Sequence, residues 1–339
     1  MKKLIIISLA LLALLTSCNL DNQGIFAEVI DRTPSDNRKL SVIGLSSDTE
    51  TLYFSSVNGI EAYDLKTPNR TEKERYKTLD DSENARKISI SLMVNDKIVY
   101  GVTRATQDIV EYTGFYLCDP ATDTKIEVNC DKTVIFNGSF ENFVYDAEGN
   151  IYEAKLVGDD LTFTLKCSAP GEGLSFYSSI DRIFCFKKGS TFTYYLFDET
   201  QGLKEISGLD GAGKIRSVTK DSDGNYVAVF SSSNSKVYRL NVSTNTAEKI
   251  DVVVGSEISR KFSSFIYGDY LCYAFDGSSS FYTLKLSDHT LSSTTVSKIS
   301  KVAIVGYYSV DNNGTYRVCT SNNGFFTLKI DSDGKVSIN

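Results

Sequence analysis

Asp221 to Phe230 reads DSDGNYVAVF, two acids, a glycine and an asparagine set ahead of an apolar run. The opening residues fit either a calcium loop or a tight hairpin turn, and the choice decides what the chain is built from. An EF-hand-like loop spaces oxygen ligands at alternate positions, D-x-[DN]-x-[DN]-G, and completes the shell with a glutamate. Here Gly224 follows the second acid directly, and no glutamate ends the segment. Asp221, Asp223 and Asn225 alone do not fill a shell of six or more oxygens. A turn with Gly224 in the left-handed region uses the same residues without an ion, and the run behind it is then a strand. No metal and no cofactor is expected.

Outward from this turn, helix signals are nearly absent. Short runs rich in Tyr, Phe, Val, Ile and Thr recur between clusters of Asp, Asn, Ser and Gly. Equivalent first turns are expected at Asp48, Asn95-Asp96, Asp146 to Asn150, Asp181-Arg182, Gly268-Asp269 and Asp311 to Gly314. Third strands are expected in IEAYDLKT, GFYLCDPAT, LTFTLKCS, TYYLFDET, KVYRLNVST, FYTLKLSD and FFTLKIDS, ending at Leu65, Cys118, Leu165, Phe197, Leu240, Leu286 and Ile330. These seven anchors span 265 residues in six steps of about 44, the length of one four-stranded propeller blade. The expectation is an all-β fold, a β-propeller of about seven four-stranded antiparallel blades, with six to eight compatible with the spacing. The third unit fits least well: its step from Leu165 to Phe197 is 32 residues, and its last strand, near SAPGEG, reads as short. The C-terminal KVSIN is expected as the last outer strand, and GIFAEVIDR, residues 24–32, as a candidate clasp strand.

In such a blade the first and third turns lie on one face, and the middle turn and interblade crossover on the other. Asp221 and the second DSDG at Asp331 therefore share a face. The irregular insertions at Lys66 to Lys87 and Arg104 to Thr113 fall on the opposite face, at adjacent blades. Loops on a rigid scaffold commonly carry binding, so Arg70, Lys73, Glu74, Arg75, Tyr76, Arg104 and Tyr112 are the candidate partner-binding residues; the competing reading is a solvated, variable surface.

The N-terminus, MKKLIIISLALLALLTSC, has two lysines, an uncharged run from Leu4 to Leu15, and small residues ending at Cys18. Its pattern is that of an export signal, too short for a mature spanning helix. Leu15-Thr16-Ser17-Cys18 resembles the lipobox of bacterial lipoproteins, which implies cleavage after residue 17 and lipidation of Cys18 by a diacylglycerol and an N-acyl chain such as palmitate. Asn19 stands where, by the same resemblance, aspartate would favour inner-membrane retention, so an outer-membrane anchor is expected. A cleaved signal releasing a soluble protein is the rival reading. The organisation is then a signal peptide at 1–17, a tether at 18–38, and a propeller domain at 39–339.

Residues 18–339 carry 34 basic and 43 acidic side chains, a net charge of −9. Nucleic-acid binding needs a basic footprint and is not expected. Cys118, Cys130, Cys167, Cys185, Cys272 and Cys319 lie in strand-like runs without CxxC spacing, and free buried thiols are expected.

Catalytic signatures are weak. GLDGAGKI, Gly208 to Ile215, satisfies G-x-x-x-x-G-K, but Ile215 replaces the magnesium-binding Ser/Thr and a strand follows. His289, the single histidine, sits in the polar turn LSDHT and has no nominated serine partner. The pairs Asp80-Asp81 and Asp159-Asp160 read as surface acids. KVYRLNVSTNTAEKI resembles generic bacterial β-propeller repeats, a likeness that carries no active-site residue. The expected function is therefore a lipid-anchored, non-catalytic binding or scaffold protein of the cell envelope with a protein or glycan partner. The alternative is a calcium-dependent glycan hydrolase or lyase with its site in the propeller funnel.

Overall fold

The computed structural model describes residues 41–46, 51–56, 59–65, 74–76, 86–105, 110–119, 124–131, 133–171, 173–231, 236–250, 252, 261–300, 302–311, 313–320 and 325–338. The signal, the tether and the candidate clasp strand at 24–32 lie outside these residues, as do Arg70 and Lys73.

Among the described residues, twenty-eight strands form seven four-stranded antiparallel sheets, each built from consecutive strands. Blade one is β1 (Ser41–Leu45), β2 (Thr51–Ser56), β3 (Gly59–Asp64) and β4 (Glu74–Tyr76). Blade two is β5 (Arg86–Val94), β6 (Lys97–Ala105), β7 (Val110–Asp119) and β8 (Thr124–Val128). Blade three is β9 (Phe136–Phe140), β10 (Phe143–Asp146), β11 (Ile151–Val157) and β12 (Asp160–Cys167). Blade four is β13 (Ser175–Ile180), β14 (Ile183–Lys188), β15 (Thr191–Asp198) and β16 (Gly202–Glu205). Blade five is β17 (Lys214–Lys220), β18 (Tyr226–Ser231), β19 (Lys236–Asn241) and β20 (Thr246–Ile250). Blade six is β21 (Ser264–Tyr267), β22 (Tyr270–Ala274), β23 (Ser280–Lys285) and β24 (Leu291–Thr295). Blade seven is β25 (Ile304–Ser309), β26 (Thr315–Thr320), β27 (Phe325–Ile330) and β28 (Val336–Ile338), so KVSIN supplies the last outer strand as expected.

The core explains why a ring forms. It consists of seven apolar clusters, each lying between two neighbouring blades. In the run YVAVF, Tyr226, Ala228 and Phe230 face blade four, whereas Val227 and Val229 face blade six. Successive strand residues point to opposite faces, so a strand buried on both faces reads as continuously apolar. A single sheet of this kind cannot bury both faces, and closure around an axis solves the problem. The closing interface joins Leu52, Phe54 and Leu65 of blade one to Cys319 and Phe325 of blade seven. There the Nε–H of Arg317 donates to the Leu65 carbonyl at 3.2 Å, a contact across 252 residues, and its guanidinium stands 5.9 Å from the Phe325 ring.

The expected strand order fails in blade three. LTFTLKCS is the outer strand, β12, and the third strand is IYEAKLV, β11. Asp146 to Asn150 is accordingly a middle turn, not a first turn, and SAPGEG belongs to the crossover into blade four. Leu165, the anchor position expected at the end of a third strand, is 51% exposed. The short step from Leu165 to Phe197 arises because one landmark belongs to a fourth strand and the next to a third.

Crossovers clip neighbouring blades together. The chain leaving blade four forms a parallel bridge from Ser207 to Thr246 of β20, with Ser207 N–H on the Asn245 carbonyl at 3.0 Å. Gly208, next in line, has φ +85° and its missing Cβ would lie 2.5 Å from the Ala247 carbonyl oxygen, so no other residue fits. This contact accounts for the first glycine of GLDGAGKI without any phosphate.

The six cysteines among the described residues form no disulfide; Cys118, Cys185, Cys272 and Cys319 are buried, but Cys130 and Cys167 are only half-buried, which corrects the expectation of six buried thiols. Burial pushes the Cys185 and Cys319 thiols up to about 12, away from the reactive thiolate. Maleimide is therefore expected to label Cys130 and Cys167 in the native protein and the other four only on unfolding, as counted by intact mass.

Candidate functional site

The acids that first suggest a metal are absorbed by their own turns. Asp221 Oδ1 accepts the N–H groups of Asp223 and Asn225 at 3.0 and 2.9 Å, and Gly224 adopts φ +82°. Asp146, Asp311 and Asp331 repeat the arrangement, each with a left-handed glycine three residues on. This is an Asx turn that glycine completes. Asp160 likewise accepts from Asn129 Nδ2 at 3.1 Å, and Asp288 is held down at about 2 by Thr290 and then Lys285. His289 occupies the left-handed turn position beside it, φ +63°.

On the face of the first and third turns, blades three to five enclose a cleft of about 160 Å³ lined by Glu141, Arg182, Phe197, Lys204, Lys220 and Tyr226 among others. Arg182 is placed by the tight β13–β14 turn, where Asp181 takes φ +51° as a primed hairpin turn requires. Its Nε–H donates to Glu141 Oε1 at 3.0 Å and its Nη2 to Glu141 Oε2 and to Glu199 Oε1, the latter at 2.6 Å. The guanidinium also lies about 6 Å from the Phe143 and Phe197 rings. Its hydrogen bond to Glu141 raises the pKa of the arginine further above its ordinary value, and burial pushes the Tyr226 phenol to about 12. Arg182 thus staples the first turn of blade three to two turns of blade four. A bidentate pair of this kind exceeds an isolated surface ion pair: Arg182→Ala is expected to cost about 1 kcal/mol in urea denaturation, less in 1 M salt.

Of the partner-binding residues proposed from sequence, Glu74, Arg75 and Tyr76 form β4, opposite Ala62, Glu61 and Ile60. Arg104 is exposed but lies within β6, opposite Glu111 of β7, so most of the stretch 104–113, expected as an irregular insertion, is strand, and only 106–109 between the two strands lies outside the described residues. Tyr112 is not on that surface: it is 6% exposed, packs between blades two and three, and its hydroxyl accepts the Phe136 N–H at 3.3 Å. The strand β7 continues through it, and alternation turns its ring inward.

A further signal lies in the sequence. Val42-Ile43-Gly44, Ile88-Ser89-Ile90, Phe136-Asn137-Gly138, Phe176-Tyr177-Ser178, Ile215-Arg216-Ser217, Phe262-Ser263-Ser264 and Ile304-Val305-Gly306 open the innermost strands or lead into them. In six of these blades the middle residue is a β-bulge against the second strand. The extra residue breaks the two-residue alternation, which hides these strands from a pattern search and re-aims the bulged side chain.

No family model and no curated protein matches the chain. Solved structures do, at low identity. KlAtg21, in a complex with the coiled coil of AgAtg16, shares 12% identity over 88% of this chain and 98% of that one, with a TM-score of 0.58. The Dos1 propeller shares 10% over 89% and 83%, TM-score 0.54. The extracellular domain of BT4673 from B. thetaiotaomicron shares 12% over 87% of this chain, TM-score 0.52, and this chain spans only 41% of that one. These likenesses establish the propeller fold. No helix among the described residues is long and apolar enough to cross a membrane.

Proposed function

We propose that this propeller is a lipid-anchored protein of the bacterial cell envelope, held through Cys18, that acts as a non-catalytic binding or scaffold protein for a protein or glycan. The observation that carries the reading is the closed ring of seven interblade cores, a rigid platform that presents turns and crossovers on two faces. Rigid scaffolds with variable loops are built for recognition. An export signal ending in LTSC supports placement outside the cytoplasm, as does the extracellular domain among similar structures. Asn19 favours the outer membrane. The partner patch is placed at blades one and two, around 66–87 and Arg104.

Capture from cross-linked envelopes tests this reading. A specific partner, lost on charge reversal at Arg70, Lys73 and Arg104 with the native urea transition kept, is expected; a partner retained by that variant removes the patch. Bound calcium in the purified protein, with a lower melting temperature on chelation, would instead favour the glycan-cleaving alternative.

A further inference from the structure

Hairpin turns from blades three, four and five surround the cleft on the face of the first and third turns. Its acids are largely spoken for: Glu141 takes two bonds from Arg182, and Asp198 Oδ1 accepts the N–H groups of Thr200 at 2.9 Å and Gln201 at 2.8 Å. Four other lining groups are not. The Tyr226 ring is 4% exposed, and its hydroxyl has no hydrogen-bond partner among the described residues, although it is close enough to feel the charges of Asp181, Arg182 and Glu141. Asn245, at φ +52° in the β19–β20 turn, keeps its Oδ1 buried without a donor. Lys204 and Lys220 each feel one acid, Asp198 and Asp181 respectively, yet neither closes an ion pair among the described residues.

The chemistry of these four groups defines their complement. A buried carbonyl oxygen without a donor is unfavourable, and such groups persist where a ligand supplies the donor, so Asn245 calls for an N–H or O–H. The Tyr226 phenol, pushed up to about 12, stays protonated and donates, and with two ammonium groups lining the same cleft the matching acceptor is a carboxylate. Volume decides how much of the ligand enters. About 160 Å³ takes one group the size of benzene and falls short of a pocket for a whole ligand, so a single terminal unit fits and the remainder stays in solvent. The lining separates a peptide end from a sugar acid. Phe197 and Tyr226, the aromatic lining residues, are 2% and 4% exposed, which leaves no ring face open to a sugar, whereas Leu196 and Val242 accommodate a small apolar side chain. The last residue of a peptide carries carboxylate, backbone N–H and side chain together.

We infer that this cleft captures the carboxyl terminus of a peptide, its carboxylate taken by Lys204, Lys220 and the Tyr226 hydroxyl, its last backbone N–H donated to Asn245 Oδ1, and its terminal side chain lying against Leu196 and Val242. The site goes beyond the partner patch at blades one and two and lies on the opposite face. It shares with the proposed function only that the protein binds rather than cleaves.

Titration calorimetry of the full chain in detergent compares N-acetyl-alanyl-alanine and N-acetyl-alanyl-valine with their C-terminal amides and with galacturonate. At least one free acid is expected to bind about tenfold or more tightly than its amide and than galacturonate. Lys204→Gln and Lys220→Gln are each expected to weaken that binding by about tenfold. Tyr226→Phe, which removes one oxygen and keeps the packed ring, should weaken it by about fivefold or more, as should Asn245→Gly, which retains the left-handed turn. Lys214→Gln, at the far end of β17 from Lys220, leaves it unchanged, and all five variants keep the native urea transition. Amide or galacturonate binding at the affinity of the acid, no binding of either acid, or an affinity unmoved by both lysine variants overturns the site. An envelope partner still lost on charge reversal at Arg70, Lys73 and Arg104 would then leave the proposed function standing without this cleft, whereas a peptide bound by a chain that captures no envelope partner would support the cleft and remove the patch.

Discussion

Phe230→Ala is expected to destabilise the propeller by about 3–5 kcal/mol in urea denaturation. The ring is fully buried between blades four and five, edge-on to Tyr194 at 5.1 Å and to Tyr238 at 5.4 Å. Both partners are held in strands by ladders on either side, so the void collapses little, and two aromatic contacts worth about 0.5–1.5 kcal/mol each vanish with the side chain. Leu165→Ala provides the contrast. An inward third-strand leucine would cost about 2–5 kcal/mol on truncation, but Leu165 on the outer strand β12 is half exposed and its loss is expected to stay within about 0.5 kcal/mol. A cost above 2 kcal/mol at Leu165 would reverse the strand order of blade three.

That blade shows where sequence reasoning succeeds and where it stops. Turn chemistry is local, so the D-x-x-G-x signature at Asp221, Asp311 and Asp331 gives both the turns and their period. It does not say which two strands a turn joins. At Asp146 the same five-residue turn, with Gly149 at φ +89°, connects the second and third strands instead. LTFTLKCS alternates as an inward strand would, and only the packing of Leu161 against blade two, with Leu165 outside, shows it to be the edge. Six of the seven innermost strands carry a signal of their own, an apolar residue two places before a small one, which only Ile88-Ser89-Ile90 lacks. The bulge between those positions displaces the alternation by which strands are usually recognised. Arg182 was legible as a turn residue, but its grip on Glu141 joins residues 41 apart and exists only once blades three and four stack.

Cys18→Ala is expected to transfer the protein wholly from the membrane pellet to the soluble fraction. The lipobox resemblance gives Cys18 three acyl chains, and at about 0.8 kcal/mol per buried methylene such an anchor is effectively permanent, where a single chain is marginal. Among the described residues no helix is long and apolar enough to take over that role. The wild-type chain should therefore stay in the pellet through carbonate washing, partition into detergent and incorporate labelled palmitate; the variant should do none of these while keeping the native urea transition. A wild-type protein that is already soluble points to an ordinary cleaved signal, and a variant that remains in the pellet after carbonate places the attachment elsewhere. The anchor also bears on recognition: a tether of about twenty residues, if extended, reaches at most about 70 Å, so a tethered propeller samples only partners close to the membrane, at an effective concentration that makes weak contacts to an envelope glycan sufficient.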